Sequence, residues 1–185
     1  MNIETKNNEI PSLERHNYYL FNSDFTSSST GELIKFILER NLAPKRPKEI
    51  KLLINSPGGE VPSAFALIDT IKGSRVPIHT YGLGLIASCG LLTFMAGAKG
   101  KRFITRNTSI LSHQYTGFAW DKEHELFAKM KEFNLVSVRI LEHYKKCTGL
   151  TEKEVREYLL PPEDRWLSAK EAVKYGIADE IVDFY

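Results

Sequence analysis

The sequence has few cysteines and almost no excess of either charge, and each scarcity excludes a class of protein. Cys89 and Cys147 are the two cysteines among 185 residues. Two cysteines make no disulfide framework, and neither has metal-type spacing from a histidine, so we expect a reducing compartment and no metal site. The 25 basic and 23 acidic residues leave a formal net charge of +2. Because this charge is small, we predict no nucleic-acid partner.

Long apolar runs are also missing. No run reaches the length of a membrane span, and residues 1–9 lack the apolar core of a signal peptide. We therefore expect a cytoplasmic protein with no membrane partner. Residues 1–17 contain few large apolar side chains. The predicted organisation is a mobile N-terminal arm over residues 1–17 and a single domain over residues 18–185.

Two kinds of apolar pattern alternate along the rest of the chain. Residues 50–54 are almost continuously apolar, which is typical of a central strand covered on both faces. Residues 62–71 instead repeat apolar side chains at helical spacing, and residues 76–81 again have the pattern of a strand. Strands and helices in this order, joined by short loops, predict an α/β fold with right-handed crossovers.

The stretch GLIASCG at residues 84–90 lies between a predicted strand and a predicted helix. A small-residue turn at that junction would expose Ser88 at the sheet edge, close to the free N–H groups of the next helix. A serine hydroxyl is a poor nucleophile alone, so this interpretation requires a base, an orienting acid and an oxyanion site. The alternative is that Ser88 only caps the helix.

Residues from other strand ends should meet Ser88. Gly58 follows the strand at residues 50–54, and His113 ends a predicted strand at residues 109–113. Carboxyl ends of parallel strands share one edge of a sheet, so these residues are expected to lie side by side.

Each partner of Ser88 also has a plain structural interpretation. A single histidine at a strand end is more often a structural residue than a base, which applies to His113. Asp164 could be the N-terminal charge of a following helix, and Glu163 or Asp179 could compete for the role of the acid. The residues alone leave these alternatives open.

The chain resembles the ClpP family, the proteolytic subunit of the ATP-dependent Clp protease, from about residue 18 to the C-terminus. Five segments carry the resemblance: INSPGG (54–59), ASCG (87–90), AGAKGKR (96–102), SHQ (112–114), and DRWLSA (164–169) followed by EAVKYG (171–176). The resemblance implies an α/β fold of the ClpP/crotonase-like kind, a spiral of βαβ units with a projecting long helix. It also implies a serine endopeptidase.

The resemblance assigns roles to particular residues. Ser88 would be the nucleophile, His113 the base and Asp164 the acid that orients the imidazole. The backbone N–H groups of Gly58 and Cys89 would form the oxyanion hole. The implied substrate-binding residues are Gly59, Gln114, Tyr115, Thr116, Gly117 and Phe118.

The resemblance also implies partners. The substrate would be a peptide or an unfolded protein, cleaved inside a heptameric ring stacked into a tetradecamer. An AAA+ unfoldase would use the ATP, and the chain itself would need no cofactor. A helix predicted over residues 121–146 would be about 39 Å long. Part of its apolar stripe should therefore meet another subunit. The stripe comprises Leu126, Met130, Phe133, Ser137, Ile140, Leu141 and Tyr144.

Two positions depart from the family pattern. Tyr115 replaces a proline, although strand addition by the substrate along residues 114–118 is still expected. Glu163 replaces an arginine at the contact between two rings, and this reversed charge must either find a basic partner or weaken the stacking of the rings. A catalytically modulating or silent subunit and a crotonase-like acyl-CoA enzyme are the alternative functions.

Overall fold

Seven strands and six α-helices form the part of the chain described by the structure, residues 12–117 and 122–183 of a computed structural model. In chain order they are β1 (Tyr18–Phe21), α1 (Ser27–Leu42), β2 (Ile50–Ser56), α2 (Val61–Gly73), β3 (Ile78–Ala87), α3 (Cys89–Met95), β4 (Arg102–Thr105), β5 (Ser109–Ser112), α4 (Glu123–Thr148), α5 (Glu152–Tyr158), β6 (Arg165–Leu167), α6 (Ala169–Lys174) and β7 (Glu180–Val182).

The strands make one sheet that branches at β3. The order β1-β2-β3-β4-β7 is parallel throughout. Residues 80–82 of β3 pair with β4, and residues 85–87 pair with β5. β5 pairs in turn with β6, which is antiparallel to it. Helices α1 and α2 connect neighbouring parallel strands, so the predicted α/β fold is confirmed.

Strand β3 is longer than the sequence pattern predicts. Residues 84–87, expected to be part of a turn, continue the strand because their backbone pairs with β5. Gly84 has a φ of 57°, and Asn55 Oδ1 accepts the N–H of Leu85 at 2.9 Å. Strand β3 therefore ends at Ala87, and Ser88 alone connects it to α3.

Hydroxyl caps define several helix starts. In the sequence, Thr151 with Glu154 and Ser168 with Glu171 have the spacing of a capping box, and both boxes are present in the structure. The hydroxyl run at residues 27–30 predicts a cap for α1, but it forms the first turn of that helix instead. Helix α1 is capped by Thr26, whose side chain accepts the N–H of Ser29 at 3.1 Å.

The core lies between the sheet and the helices that cover it. Strand β2 is buried along most of its length, as expected for a covered parallel strand. Helical spacing predicts one apolar face on α1, comprising Leu33, Ile34, Ile37 and Leu38. The core takes Leu33, Phe36 and Ile37 from α1, whereas Leu38 is 49% exposed, so the predicted face is wrong at Leu38.

The long helix α4 has 26 residues, and its two halves lie in different environments. Ile140, Leu141 and Tyr144 belong to the core, whereas Met130 is 55% exposed. The predicted stripe is thus partly core and partly surface. The exposed first half corresponds to the projecting helix that the sequence predicts.

The first described residues, 12–17, belong to the predicted N-terminal arm. Glu14–His16 form one turn of 3₁₀ helix, and the guanidinium of Arg40 donates to the Glu14 carbonyl at 2.7 Å. Residues 12–17 therefore have defined local structure.

Within the described chain, none of the helices combines the length and the apolar character needed to cross a membrane.

Candidate active site

Ser88 forms the corner between β3 and α3. Its φ of 53° and ψ of −120° are unusual for a residue with a side chain. The Ser88 N–H donates to the Leu111 carbonyl of β5, and the Ser88 carbonyl accepts the Leu92 N–H, both at 3.0 Å. The side chain makes no capping hydrogen bond to α3. Ser88 is thus the N-cap residue of α3 in an unusual backbone conformation, but its hydroxyl caps none of the helix N–H groups.

Gly58 lies directly against this corner. Its φ is 105°, and a Cβ added there would lie 2.7 Å from Ser88 Cβ and 3.2 Å from the Cys89 nitrogen. Only a glycine allows this approach. The Gly58 N–H donates to Ser56 Oγ at 3.2 Å. The structure therefore brings the two predicted oxyanion donors together, with that of Gly58 in a long hydrogen bond.

The backbone of Phe25 is hydrogen-bonded to the loop that contains Gly58 and Gly59. Its N–H donates to the Gly58 carbonyl, and its carbonyl accepts the Glu60 N–H, both at 2.8 Å. A side chain at Gly59, whose φ is 143°, would overlap the Phe25 backbone. This close approach explains the second glycine of the pair.

The thiol of Cys89 is also at the corner, next to Ser88. Burial raises the pKa of this thiol to about 11, and the thiol donates to the Gly59 carbonyl at 3.3 Å. The thiol is therefore protonated near neutral pH and is no competing nucleophile.

Ser88 and His113 line the same cavity, of about 70 Å³. His113 follows β5 directly, at the carboxyl edge of the sheet. The walls are Gly59, Val61, Ser88, Cys89, Leu92, His113, Gln114, Tyr115, Thr116, Ile140 and Tyr144. The predicted residues from three separate segments thus meet. Gly117 lies beside this cavity, against Phe133, and Phe118 lies outside the described residues.

His113 Nδ1 lies 2.6 Å from the Gln114 carbonyl oxygen. A carbonyl only accepts, so Nδ1 carries a proton, and in the neutral ring the lone pair is then on Nε2. This is the tautomer that a general base needs. Among the described residues, no hydrogen bond joins His113 to Ser88 or to Asp164.

Asp164 is exposed and immediately precedes β6. The antiparallel register pairs Ser112 with Arg165. One further step in this register places His113 opposite Asp164. The structure therefore brings Asp164 to the same edge as His113, and no hydrogen bond joins the two among the described residues.

Asp179, the competing acid, is held elsewhere. Its carboxylate accepts Arg102 Nη2 at 2.6 Å and Arg102 Nε at 2.9 Å. Partial burial would raise the pKa of this carboxyl, but the hydrogen bonds from Arg102 hold the pKa below its usual value. Asp179 is therefore the partner of Arg102.

Comparison with known proteins identifies the family. The Clp protease family profile matches residues 12–184. The chain belongs to the Clp protease family.

Curated relatives agree with this assignment. Over 136 residues the chain is 33% identical to ATP-dependent Clp protease proteolytic subunit 2 of Corynebacterium diphtheriae, covering 74% of this chain and 67% of the relative. It is 33% identical over 135 residues to proteolytic subunit 1 of Corynebacterium jeikeium, covering 73% and 71%. It is 31% identical over 136 residues to the chloroplastic proteolytic subunit 3 of Arabidopsis thaliana, covering 74% of this chain but 43% of that relative.

Family membership confirms the predicted enzyme class, a serine-type peptidase. It also implies an oligomeric protease that works with Clp ATPases. Membership of the Clp protease family, rather than the fold, argues against the acyl-CoA alternative.

Sequence reasoning missed the apolar walls of the cavity. Val61, Leu92, Ile140 and Tyr144 come from α2, α3 and α4. Ile140 and Tyr144 are four residues apart and were identified as part of an interface stripe. Their helical spacing was the available signal, but spacing does not tell a pocket wall from a subunit contact.

Two hydrogen bonds fix the end of β5, the strand that His113 follows directly. Burial raises the pKa of the Tyr144 phenol, which stays protonated and donates to Ser112 Oγ at 2.6 Å. Ser112 Oγ in turn donates to the Leu159 carbonyl. These two hydrogen bonds connect β5, α4 and the end of α5, and the sequence did not predict them.

Proposed function

We propose that the chain is a serine endopeptidase in which Ser88, His113 and Asp164 form the catalytic triad. One observation carries this proposal: the strained corner of Ser88 lines the same cavity as a histidine in the Nδ1–H tautomer. The register of β5 and β6 adds a carboxylate at the correct edge. Glu163, next to Asp164, lies one residue further from the start of β6 than Asp164 does.

The proposed reaction uses these three side chains, the substrate, a water molecule and two backbone N–H donors. His113 Nε2 takes the proton of Ser88 Oγ as the oxygen attacks the scissile carbonyl carbon. Collapse of the tetrahedral intermediate breaks the C–N bond, and the imidazolium gives its proton to the leaving amine. Water then hydrolyses the acyl-enzyme by the same steps, with His113 again acting as the base.

The proposed oxyanion donors are the N–H groups of Gly58 and Cys89. A developing oxyanion is a stronger acceptor than the Ser56 hydroxyl, which now holds the Gly58 N–H at 3.2 Å. Exchange of that long hydrogen bond for one to the oxyanion favours the transition state. Loss of one such donor typically costs about 3 kcal/mol of transition-state stabilisation.

Completion of the triad requires His113 to turn from the Gln114 carbonyl to Asp164. Catalytic hydrogen bonds are often long or poorly aligned without substrate, so the present geometry is compatible with the role. A carboxylate stabilises the imidazolium better than a neutral carbonyl does. We therefore propose that His113 Nδ1–H donates to the Gln114 carbonyl in the resting state and to Asp164 in the catalytic state.

The proposed substrate is an extended segment of a peptide or unfolded protein. Residues 113–117 lack regular secondary structure, and Gln114, Thr116 and Gly117 are exposed. An extended peptide could pair with this backbone as an added strand. Apolar walls from Leu92 and Ile140 would accept an apolar side chain next to the scissile bond.

The proposed assembly is a heptameric ring, stacked into a tetradecamer, that encloses the active sites. Exposed apolar side chains on α4, including Phe127 and Met130, support an intersubunit contact. An AAA+ unfoldase of the Clp kind would deliver substrate and use ATP. We further propose that the chain carries no cofactor of its own and acts in the cytoplasm.

A fluorophosphonate probe tests the nucleophile directly. The assembled protein should be labelled and should hydrolyse a fluorogenic peptide, and Ser88→Ala should abolish both signals. Ser28→Ala changes an exposed serine of α1 and should leave both intact. His113→Ala should lower labelling and turnover by orders of magnitude. Labelling that survives in folded Ser88→Ala would refute the assignment.

A modulating subunit is the second candidate function. It is favoured by the hydrogen bond between His113 and the Gln114 carbonyl, which leaves Asp164 without the imidazole. In that case the chain alone would not react with the probe, yet it would change the turnover of an active relative after mixing. Labelling of the chain alone would exclude this candidate.

A further inference from the structure

The ring of Tyr115 packs on the ring of Phe133 in α4. The centroids are 4.8 Å apart, and the planes are inclined by 33°. Both side chains are half-buried. Gly117 touches the same ring, since a Cβ there would lie 3.3 Å from Phe133. Phe133 therefore holds residues 115–117 from the side of the long helix.

Gln114 is held on its other side. Its Nε2 donates to the Leu160 carbonyl at 3.0 Å, and its own carbonyl accepts His113 Nδ1–H at 2.6 Å. The carbonyl that binds the imidazole thus belongs to a residue whose side chain is anchored. The next residue, Tyr115, is stacked on α4. Together these contacts restrict the movement of the Gln114 main-chain carbonyl, which accepts the Nδ1–H of His113.

We infer that Tyr115 and Phe133 are positioning residues for His113, and that their ring contact holds the imidazole on the Gln114 carbonyl and away from Asp164. This inference rests on the proposed function. The contact acts as a restraint, because turnover requires the Nδ1–H to move to the carboxylate. Weakening the ring contact should make that movement easier and should speed catalysis.

Phe133→Leu tests the restraint in the full-length, assembled protein. With a short fluorogenic peptide, kcat should rise by about threefold or more while KM stays within about twofold. Phe133→Tyr keeps the ring and should restore the wild-type kcat. Phe65→Leu makes the same chemical change at a half-buried ring of α2 and should have no effect on kcat. An unchanged or lower kcat in assembled Phe133→Leu would overturn the inference.

A double-mutant cycle separates positioning from general loosening. The gain from Phe133→Leu should vanish in the Asp164→Asn background, because it depends on transfer of the Nδ1–H to that carboxylate. A gain that persists with Asp164→Asn would also overturn the inference. If Phe133→Leu does not assemble, Tyr115→Leu removes the other ring and should give the same rise in kcat.

Failure of this inference is distinct from failure of the proposed function. Wild-type protein that is labelled at Ser88, with equal kcat for the wild type and Phe133→Leu, would refute the restraint alone. Wild-type protein that is neither labelled nor active, alone or in assembly, would refute the triad and with it the restraint.

Discussion

His143 is a buried imidazole on the core side of α4. Its Nε2–H donates to the Leu92 carbonyl at 2.8 Å, and the edge of Phe65 lies against it. Burial lowers the pKa to about 4, although the hydrogen bond to Leu92 raises it in part. Nearby Lys72 and Lys146 also lower the pKa, and Asp69 raises it. The folded protein therefore keeps this histidine neutral in mild acid.

A neutral buried histidine makes stability depend on pH. Between its usual pKa of 6.5 and its folded value of about 4, the unfolded chain binds a proton that the folded chain does not. The free energy of unfolding should therefore fall as the pH falls through this range, by up to about 3 kcal/mol. Urea unfolding at pH 7 and pH 4.5 measures the loss.

The variant His143→Gln provides the control for this prediction. Glutamine can still donate to the Leu92 carbonyl but does not titrate, so the difference between the two pH values should shrink. An equal loss of stability in wild type and His143→Gln would show that other groups carry the pH dependence.

At the scale of elements, Arg102 joins three of them. Its guanidinium binds Asp179, just before β7, and donates to the Cys147 carbonyl of α4 at 3.0 Å. The Arg102 side chain is 4% exposed and that of Asp179 is 18% exposed. Since removal of one member leaves the other charge without compensation, Arg102→Met should destabilise the fold by about 3 kcal/mol.

The same pair of strands supplies a matched comparison. Arg106 and Asp183 pair at the other end of β4 and β7, with side chains 69% and 72% exposed. Arg106→Met should change the urea midpoint little, because water compensates both charges. Equal midpoint shifts for the two variants would contradict the dependence on burial.

At the scale of the whole molecule, the exposed apolar surface of α4 predicts assembly. Phe127 is 67% exposed, Met130 55%, Leu135 46% and Val138 58%. Full burial of one large apolar side chain contributes about 1.5–3 kcal/mol. An exposed charge at Glu163 is worth less than about 1 kcal/mol. Apolar burial should therefore outweigh charge repulsion, and the double ring should dissociate on dilution.

Light scattering over a dilution series tests this assembly. Glu163→Arg should change the ratio of rings to double rings, and more at low ionic strength than at high. Glu163→Gln, which only removes the charge, should have a smaller effect. A monomer at every concentration would contradict the chamber, and an unchanged Glu163→Arg ratio at low salt would contradict the charge argument.

The sequence determined those features that depend on neighbouring residues. Apolar periodicity placed the strands and helices, and hydroxyl–carboxylate spacing placed the caps at Thr151 and Ser168. Glycine and serine at strand ends indicated where Gly58, Ser88 and His113 would meet. These signals are local, because helix and strand periods and caps operate within a few residues.

The tertiary structure decided what depends on distant pairing. Strand β3 extends to Ala87 because β5, more than twenty residues later, supplies its partners. The β5–β6 register pairs Ser112 with Arg165, the residues next to His113 and Asp164, and Arg102 selects Asp179 from 77 residues away. The Tyr115–Phe133 contact joins a loop to a separate helix. No local pattern encodes these contacts, since each requires two segments that only the folded chain brings together.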